Sequence, residues 1–115
     1  MMQLIPQAHG NTIVVQVDAT RIDASVAIQF KDRMREVTDA GTQRLVLDLA
    51  SVDFLDSSGL GALVAVMKYA GKERQFELAG LSPSVAKVMQ LTCLDRVFVI
   101  FATASDALAS DSDAA

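Results

Sequence analysis

Asp48-Leu49-Ala50-Ser51-Val52-Asp53-Phe54-Leu55-Asp56-Ser57-Ser58-Gly59-Leu60-Gly61-Ala62-Leu63 is the stretch that decides how this chain is read. It runs from the end of a strand, through a short acidic loop and a pair of serines, into a strongly apolar helix. The backbone N–H groups of a helix N-terminus point outward and carry partial positive charge. A serine there, in an exposed loop, can serve as a charge switch. A phosphate on it is satisfied locally, yet adds about −1.5 to −2 charges to the surrounding surface.

Working outward, Arg44-Leu45-Val46-Leu47-Asp48-Leu49 is nearly all apolar, as a central strand covered on both faces must be. Upstream, Gln3 to Pro6 reads as a short strand, with Pro6 pointing to an edge or a strand end. His9-Gly10-Asn11 is a turn signal, and β-branched Thr12 to Val17 reads as a second strand that closes an antiparallel hairpin. Asp23 reads as the N-cap of a helix with Ala27, Phe30, Met34 and Val37 on its apolar face and Gln29, Arg33 and Glu36 opposite; Gly41 ends it.

Downstream of the serines, Leu60, Leu63, Val64 and Met67 form one helical stripe, while Ala62, Ala65 and Val66 leave the other side small or apolar. Such a helix is buried on several sides or covered by a partner. Gly71 closes it. Gln75 to Ala79 alternates like a strand, and Ser82-Pro83 opens a helix through Val85, Val88, Met89 and Thr92. Arg96 to Phe101 reads as the last strand. Ser105 reads as the cap of a short helix over Asp106 to Ala109, and residues 111–115 as a frayed tail. The order β-β-α-β-α-β-α-β-α predicts an α/β fold: a mixed, mostly parallel sheet of about five strands with flanking helices.

At 115 residues the chain is sized for one domain, expected over residues 1–110. A hydrophobic share of 51% argues against whole-chain disorder. The 14 acidic against 10 basic residues, net −4, argue against a generic nucleic-acid binder. The single cysteine, Cys93, cannot form an intramolecular disulfide and reads as a buried thiol. The N-terminus lacks the pattern of a secretory signal, and the apolar run Leu60 to Met67 is too short to span a bilayer. A cytoplasmic protein without direct membrane insertion is the expectation.

Ligands of open α/β sheets gather beyond the carboxyl ends of the parallel strands, where Asp53, Asp56, Ser57 and Ser58 lie. Hydrolysis is a poor fit. The nucleophile elbow needs Gly-x-Ser-x-Gly, and the sole histidine, His9, sits in a distant turn. Two carboxylates are too few to argue for a metal, and neither glycine-rich phosphate-binding pattern is present. No cofactor is expected. On the residues alone, Ser57 and Ser58 read first as helix caps, and Gly59 and Gly61 as residues of a closely packed helix start.

Residues 45–63 resemble the signature of STAS domains, and among these look most like bacterial anti-sigma factor antagonists; Asp-Ser-Ser-Gly-Leu-Gly at 56–61 is the specific core. Ser82-Pro83-Ser84-Val85 and the element order fit the same family. The resemblance implies a non-enzyme whose phosphoacceptor is Ser57, with Ser58 the alternative. It implies that the unphosphorylated form binds an anti-sigma factor with GHKL-type serine kinase activity and so releases a sigma factor. Phosphorylation switches binding off, and a PP2C-type phosphatase restores it. The implied partner surface is Asp23, Asp53, Asp56, Ser57, Ser58, Gly59, Leu60 and Gly61. One stretch departs from the pattern: Asp18 to Ala24 keeps an acid at Asp23 but lacks the family's glycine. Alternatives are a non-switching STAS scaffold subunit of another complex, such as a membrane transport ATPase, and a small-ligand sensor.

Overall fold

Strands β1 (Gln3–His9) and β2 (Thr12–Asp18) form an antiparallel hairpin around Gly10-Asn11, with His9 opposite Thr12. Gly10 takes φ +62°, the left-handed conformation a two-residue hairpin loop requires. A computed structural model of the chain describes residues 2–41 and 43–112. After the hairpin come β3 (Arg21–Ile22), α1 (Ala27–Asp39), β4 (Arg44–Asp48), β5 (Phe54–Leu55) and α2 (Ser57–Ala70). Then follow β6 (Gln75–Ala79), α3 (Pro83–Leu91), a 3₁₀ turn (Leu94–Arg96), β7 (Val99–Phe101) and α4 (Ala104–Ser112).

The main sheet has five strands in the order β1-β2-β4-β6-β7; only the β1–β2 pair is antiparallel. This is the mixed, mostly parallel sheet expected from the alternation of elements. As the apolar run 44–49 requires, β4 is central. Leu45 and Leu47 face the layer of α1, α2 and α3, and join Val15, Val17, Leu78, Phe30, Met34, Leu63, Val85 and Met89 in the main core. Val46 faces the other way and meets Val14, Ala79 and Ala107 beneath α4.

Arg44 and Glu77 also face α4, and both are buried. Arg44 Nε donates to Glu77 Oε1 at 2.7 Å, and Nη2 donates to the Ala107 carbonyl at 2.8 Å. The guanidinium therefore neutralises the carboxylate and ties α4 to the sheet.

Several local expectations need correction. Arg96 to Phe101 is not one strand: Leu94–Arg96 wind into a 3₁₀ turn, and β7 begins at Val99. Cys93 is exposed at the N-cap of that turn with φ +61°, so it is not a buried thiol. The α4 cap is Thr103, whose Oγ1 accepts from Asp106 N at 3.0 Å; Ser105 lies inside the helix. The expected frayed tail, 111–115, is helical through Ser112, and residues 113–115 lie outside the described ones. Asp23 does not cap α1. Helix α1 starts four residues later at Ala27, with Val26 at its N-cap and no side-chain cap bond. In α2 the fully buried face is Gly59, Ala62, Leu63, Val66 and Ala70, with Leu60, Val64 and Met67 on its half-buried flank.

Candidate functional site

The stretch after β4 does not run free as a loop. Val52 turns inward, and Phe54-Leu55 pairs in parallel with Arg21-Ile22 as a second, two-stranded sheet. Ile22 and Leu55 enter the core. Arg21 and Phe54 face solvent, with the guanidinium stacked 4.4 Å from the ring centroid. Asp53 N donates to Thr20 O at 2.8 Å, and Ser84 Oγ of α3 donates to Asp53 O at 3.0 Å. The segment entering α1, the segment entering α2 and the first turn of α3 thus meet at one end of the sheet, beyond the carboxyl ends of its parallel strands.

Asp56 is the keystone. It is the N-cap of α2, and its Oδ1 accepts from Gly59 N at 2.8 Å. Its other oxygen, Oδ2, accepts from Ala24 N at 3.1 Å. The backbone carbonyl of Asp56 takes Leu60 N at 2.9 Å. One carboxylate caps the helix and holds down the 20–26 segment. The expectation that the serines cap α2 is corrected: neither Ser57 nor Ser58 is the cap. Ser57 is the first helical residue and Ser58 the second. Both are exposed, and among the described residues neither hydroxyl has a hydrogen-bond partner. Their N–H groups belong to the first turn, where no intrahelical acceptor exists.

Gly59 and Gly61 separate as well. A Cβ on Gly59 would collide with the Ile22 carbonyl oxygen and crowd Leu55 Cδ2 at 3.3 Å; on Gly61 it would meet nothing within 4 Å. Close packing therefore explains Gly59, and it does not explain Gly61, which lies exposed on α2. Leu60 is half-buried against the core.

Asp23 belongs to the adjoining turn. Its Oδ1 accepts from Ser25 N at 3.0 Å and Ser25 Oγ at 2.6 Å, and Arg21 Nε donates to its Oδ2 at 3.2 Å. The Ser25 hydroxyl first, and then the Arg21 guanidinium, hold its carboxyl below the ordinary value of 3.8. An open cleft of about 420 Å³ lies alongside, lined by Met2, Asp18, Thr20, Arg21, Asp23 and Ser25, among others. Much of its polar lining is spent on the Arg21–Asp23–Ser25 cluster. Among the described residues no group of three or more His, Cys, Asp or Glu side chains is placed to hold a metal, and no helix is long and apolar enough to cross a membrane.

Of the expected site residues, Asp23, Asp53, Asp56, Ser57 and Ser58 are brought to one end of the sheet, with Gly59 buried beneath them. The sequence reading did not anticipate Arg21, Phe54, the Ala24 amide or Ser84. The alternation of Arg21-Ile22 and of Phe54-Leu55, each one exposed and one apolar residue, was the available signal for the first two.

The geometry is that of a strand–turn–helix platform carrying an unpartnered serine at a helix start, and the chain belongs to the STAS domain family, which matches residues 3–107. It is 33% identical over 97 residues to a STAS-domain containing protein of Pseudomonas aeruginosa, covering 84% of this chain and 94% of that one. It is 31% identical over 101 residues to the anti-sigma-F factor antagonist RsfB of Mycobacterium tuberculosis, covering 88% and 83%. The crystal structure of an anti-sigma factor antagonist from Mycobacterium paratuberculosis superposes with a TM-score of 0.86 at 31% identity, covering 96% of this chain and 93% of that one.

Proposed function

We propose that this chain is an anti-sigma factor antagonist gated by phosphorylation of Ser57. Unmodified, it binds an anti-sigma factor that is also a GHKL-type serine kinase, and a sigma factor is released. That kinase phosphorylates Ser57 and ends the contact, and a PP2C-type phosphatase reverses the modification. The chain is substrate and switch rather than enzyme, working in the cytoplasm without nucleic acid of its own. The observation carrying this reading is the division of labour at 56–58: Asp56 does the capping, so the Ser57 hydroxyl stands exposed and unengaged. Ser58 shares the exposure; Ser57 is preferred because it directly follows the loop aspartate, the acceptor position of the family it resembles.

The switch follows from electrostatics. A neutral serine is small enough to be covered by a partner. Leaving a phosphate desolvated and unpaired in such a contact costs several kcal/mol, and each 1.4 kcal/mol is about tenfold in affinity, so a loss of about 10²-fold or more is expected. Asp53 and Asp56 add like-charge repulsion. In the free protein the first-turn N–H groups of α2 offset part of the added charge, so modification weakens binding without unfolding the domain.

The test is a pull-down from native lysate with Ser57→Ala and Ser57→Asp baits, read by mass spectrometry. Capture of a GHKL-type kinase by the alanine form, and its loss with the aspartate form, supports the proposal. Equal capture of a partner by both baits refutes the switch and favours the scaffold reading.

A further inference from the structure

Gly61 stands where the domain itself has no use for a glycine. It lies inside α2, where glycine is the poorest helix former after proline. Its backbone is not left-handed, and a Cβ on it would meet nothing within 4 Å. Neither conformation nor internal packing accounts for it, and the room it leaves is on the outside. Ser57, Gly61, Ala65 and Lys68 are all exposed. Their spacing of four, four and three residues puts them on one face of the helix. This smooth track runs about 16 Å along α2 from the serine.

Beside the track lies the groove between α1 and α2. Lys31 and Arg35 of α1, with Ala65 and Tyr69 of α2, line one small cavity there. The same register sets Ile28 level with Gly61 and Ala62, nearer the serines. At about 20 Å³ the cavity is far too small for a metabolite and takes at most the tip of one side chain. Arg35 stacks 5.2 Å from the Tyr69 ring centroid, and Tyr69 Oη donates to Asp39 Oδ1 at 2.6 Å. Ile28 is 70% exposed and Tyr69 41%, so the groove carries an apolar side chain at each end. Along it Lys31, Arg35, Lys68, Lys72 and Arg74 outnumber Asp32, Asp39 and Glu73. Among the described residues none of these cations makes an ion pair. The whole chain is net −4, so the groove is a local reversal of sign.

We infer that the anti-sigma factor lays an acidic amphipathic helix along this track and groove, an inference that rests on the reading of Ser57 as its gated contact. A partner that covers Ser57 through an interface of ordinary size, about 800 Å² a side, extends well beyond the first turn of α2. Gly61 and Ala65 let a second helix come close, Ile28 and Tyr69 receive its apolar stripe, and the cations meet its acids. A second copy of this chain fits worse, because a two-fold contact centred here doubles the excess of cations within one interface. The sign of the groove also sharpens the switch. A phosphate on Ser57 sits at the head of a track whose occupant is itself acidic, so the two repel.

The probe is the GHKL-type kinase that the Ser57→Ala bait captures, purified and titrated against the full chain carrying Ser57→Ala and one further substitution. Gly61→Ala is expected to weaken binding about three- to tenfold, and Gly61→Gln more than about tenfold. Both should keep the parent circular dichroism, and neither should lower stability in urea. Affinity lost without stability lost is the mark of a partner contact and not of internal packing. Lys68→Glu should weaken binding about tenfold or more and flatten its salt dependence, whereas Lys87→Glu, the same charge change on α3, should leave binding within about twofold. Carbodiimide, which joins lysine amines directly to carboxylates, should link Lys31 or Lys68 to Asp or Glu side chains of one kinase helix. Gly61→Gln binding as tightly as the parent overturns the inference. So does equal damage from Lys68→Glu and Lys87→Glu, or a complex in which neither lysine becomes linked. Those outcomes leave the Ser57 switch standing; a Ser57→Ala bait that captures no kinase overturns both.

Discussion

Replacing Gly59 and Gly61 in turn by alanine places the same methyl group at two points of one helix, two residues apart, and the structure gives the substitutions opposite signs. In both cases alanine gains about 1 kcal/mol of helix propensity over glycine. At Gly61 nothing lies within 4 Å of the new Cβ, so most of the gain survives and stability rises by about 0.5–1 kcal/mol. At Gly59 the methyl is driven into the Ile22 carbonyl, with the Ile22 carbonyl carbon at 3.0 Å and Leu55 Cδ2 at 3.3 Å. Two of these neighbours are backbone and cannot rotate away. Helix α2 must move off β3, which costs about 1–3 kcal/mol as overpacking. It also stretches the bond from Ala24 N to Asp56, worth about 1–1.5 kcal/mol. The net expectation is a loss of about 1–3.5 kcal/mol for Gly59→Ala. Urea unfolding followed by circular dichroism measures both variants against the parent. A Gly59→Ala protein within about 0.5 kcal/mol of the parent would refute the claim that this contact sets the docking of α2, as would a Gly61→Ala protein less stable than Gly59→Ala.

Three further outcomes are expected. Arg44→Met leaves the buried Glu77 carboxylate and the Ala107 carbonyl without their cation, and should cost about 3–5 kcal/mol in urea unfolding; the double variant Arg44→Leu/Glu77→Leu should recover most of it. Asp56→Ala removes the acceptor of both Gly59 N and Ala24 N and should lower stability by about 1–3 kcal/mol. Asp56→Asn retains a cap for Gly59 while speeding amide exchange at Ala24. The Asp23 carboxyl should titrate below 3.8 by NMR, and Ser25→Ala or Arg21→Ala should bring it back toward that value. Because the folded pKa is the lower one, the stabilisation from this group is full above the unfolded pKa and disappears as pH falls through the folded one.

What could be read from the residues alone, and what could not, divides by the range of the interaction. The apolar run Leu45-Val46-Leu47 announces a central strand because burial on both faces is written into consecutive residues. Ser82-Pro83 announces a helix start because cap and first turn are neighbours; the structure shows Ser82 Oγ accepting from Val85 N. Asp23 and Asp56 could not be assigned this way. Either can cap the helix that follows it, and the choice depends on β3 pairing with β5, more than thirty residues away in the chain. Gly59 and Gly61 look alike in sequence, and only the position of Ile22 distinguishes them. Cys93 was expected inside because thiols usually are. The turn that carries it is shaped by Leu94 and Phe98 packing inward, which leaves residues 95–97 outside. Among the site residues, the serine and its aspartate were legible as a pattern; that Asp56 alone does the capping, and so leaves Ser57 unengaged, required the coordinates.

The strand order β1-β2-β4-β6-β7 repeats the order of synthesis, since every main-sheet strand is added on the same side as the one before. A ribosome releasing this chain exports a sheet that grows at a single front. The hairpin can form as soon as it emerges, and its outer border is already closed to additions by Pro6. Each later strand then docks on the border just left by its predecessor, and no earlier pairing has to open to admit it. The exposed front during translation is successively β2, β4 and β6. The most vulnerable interval is the wait between the release of apolar β4 and the arrival of β6, when a strand destined for the centre of the sheet is still a border.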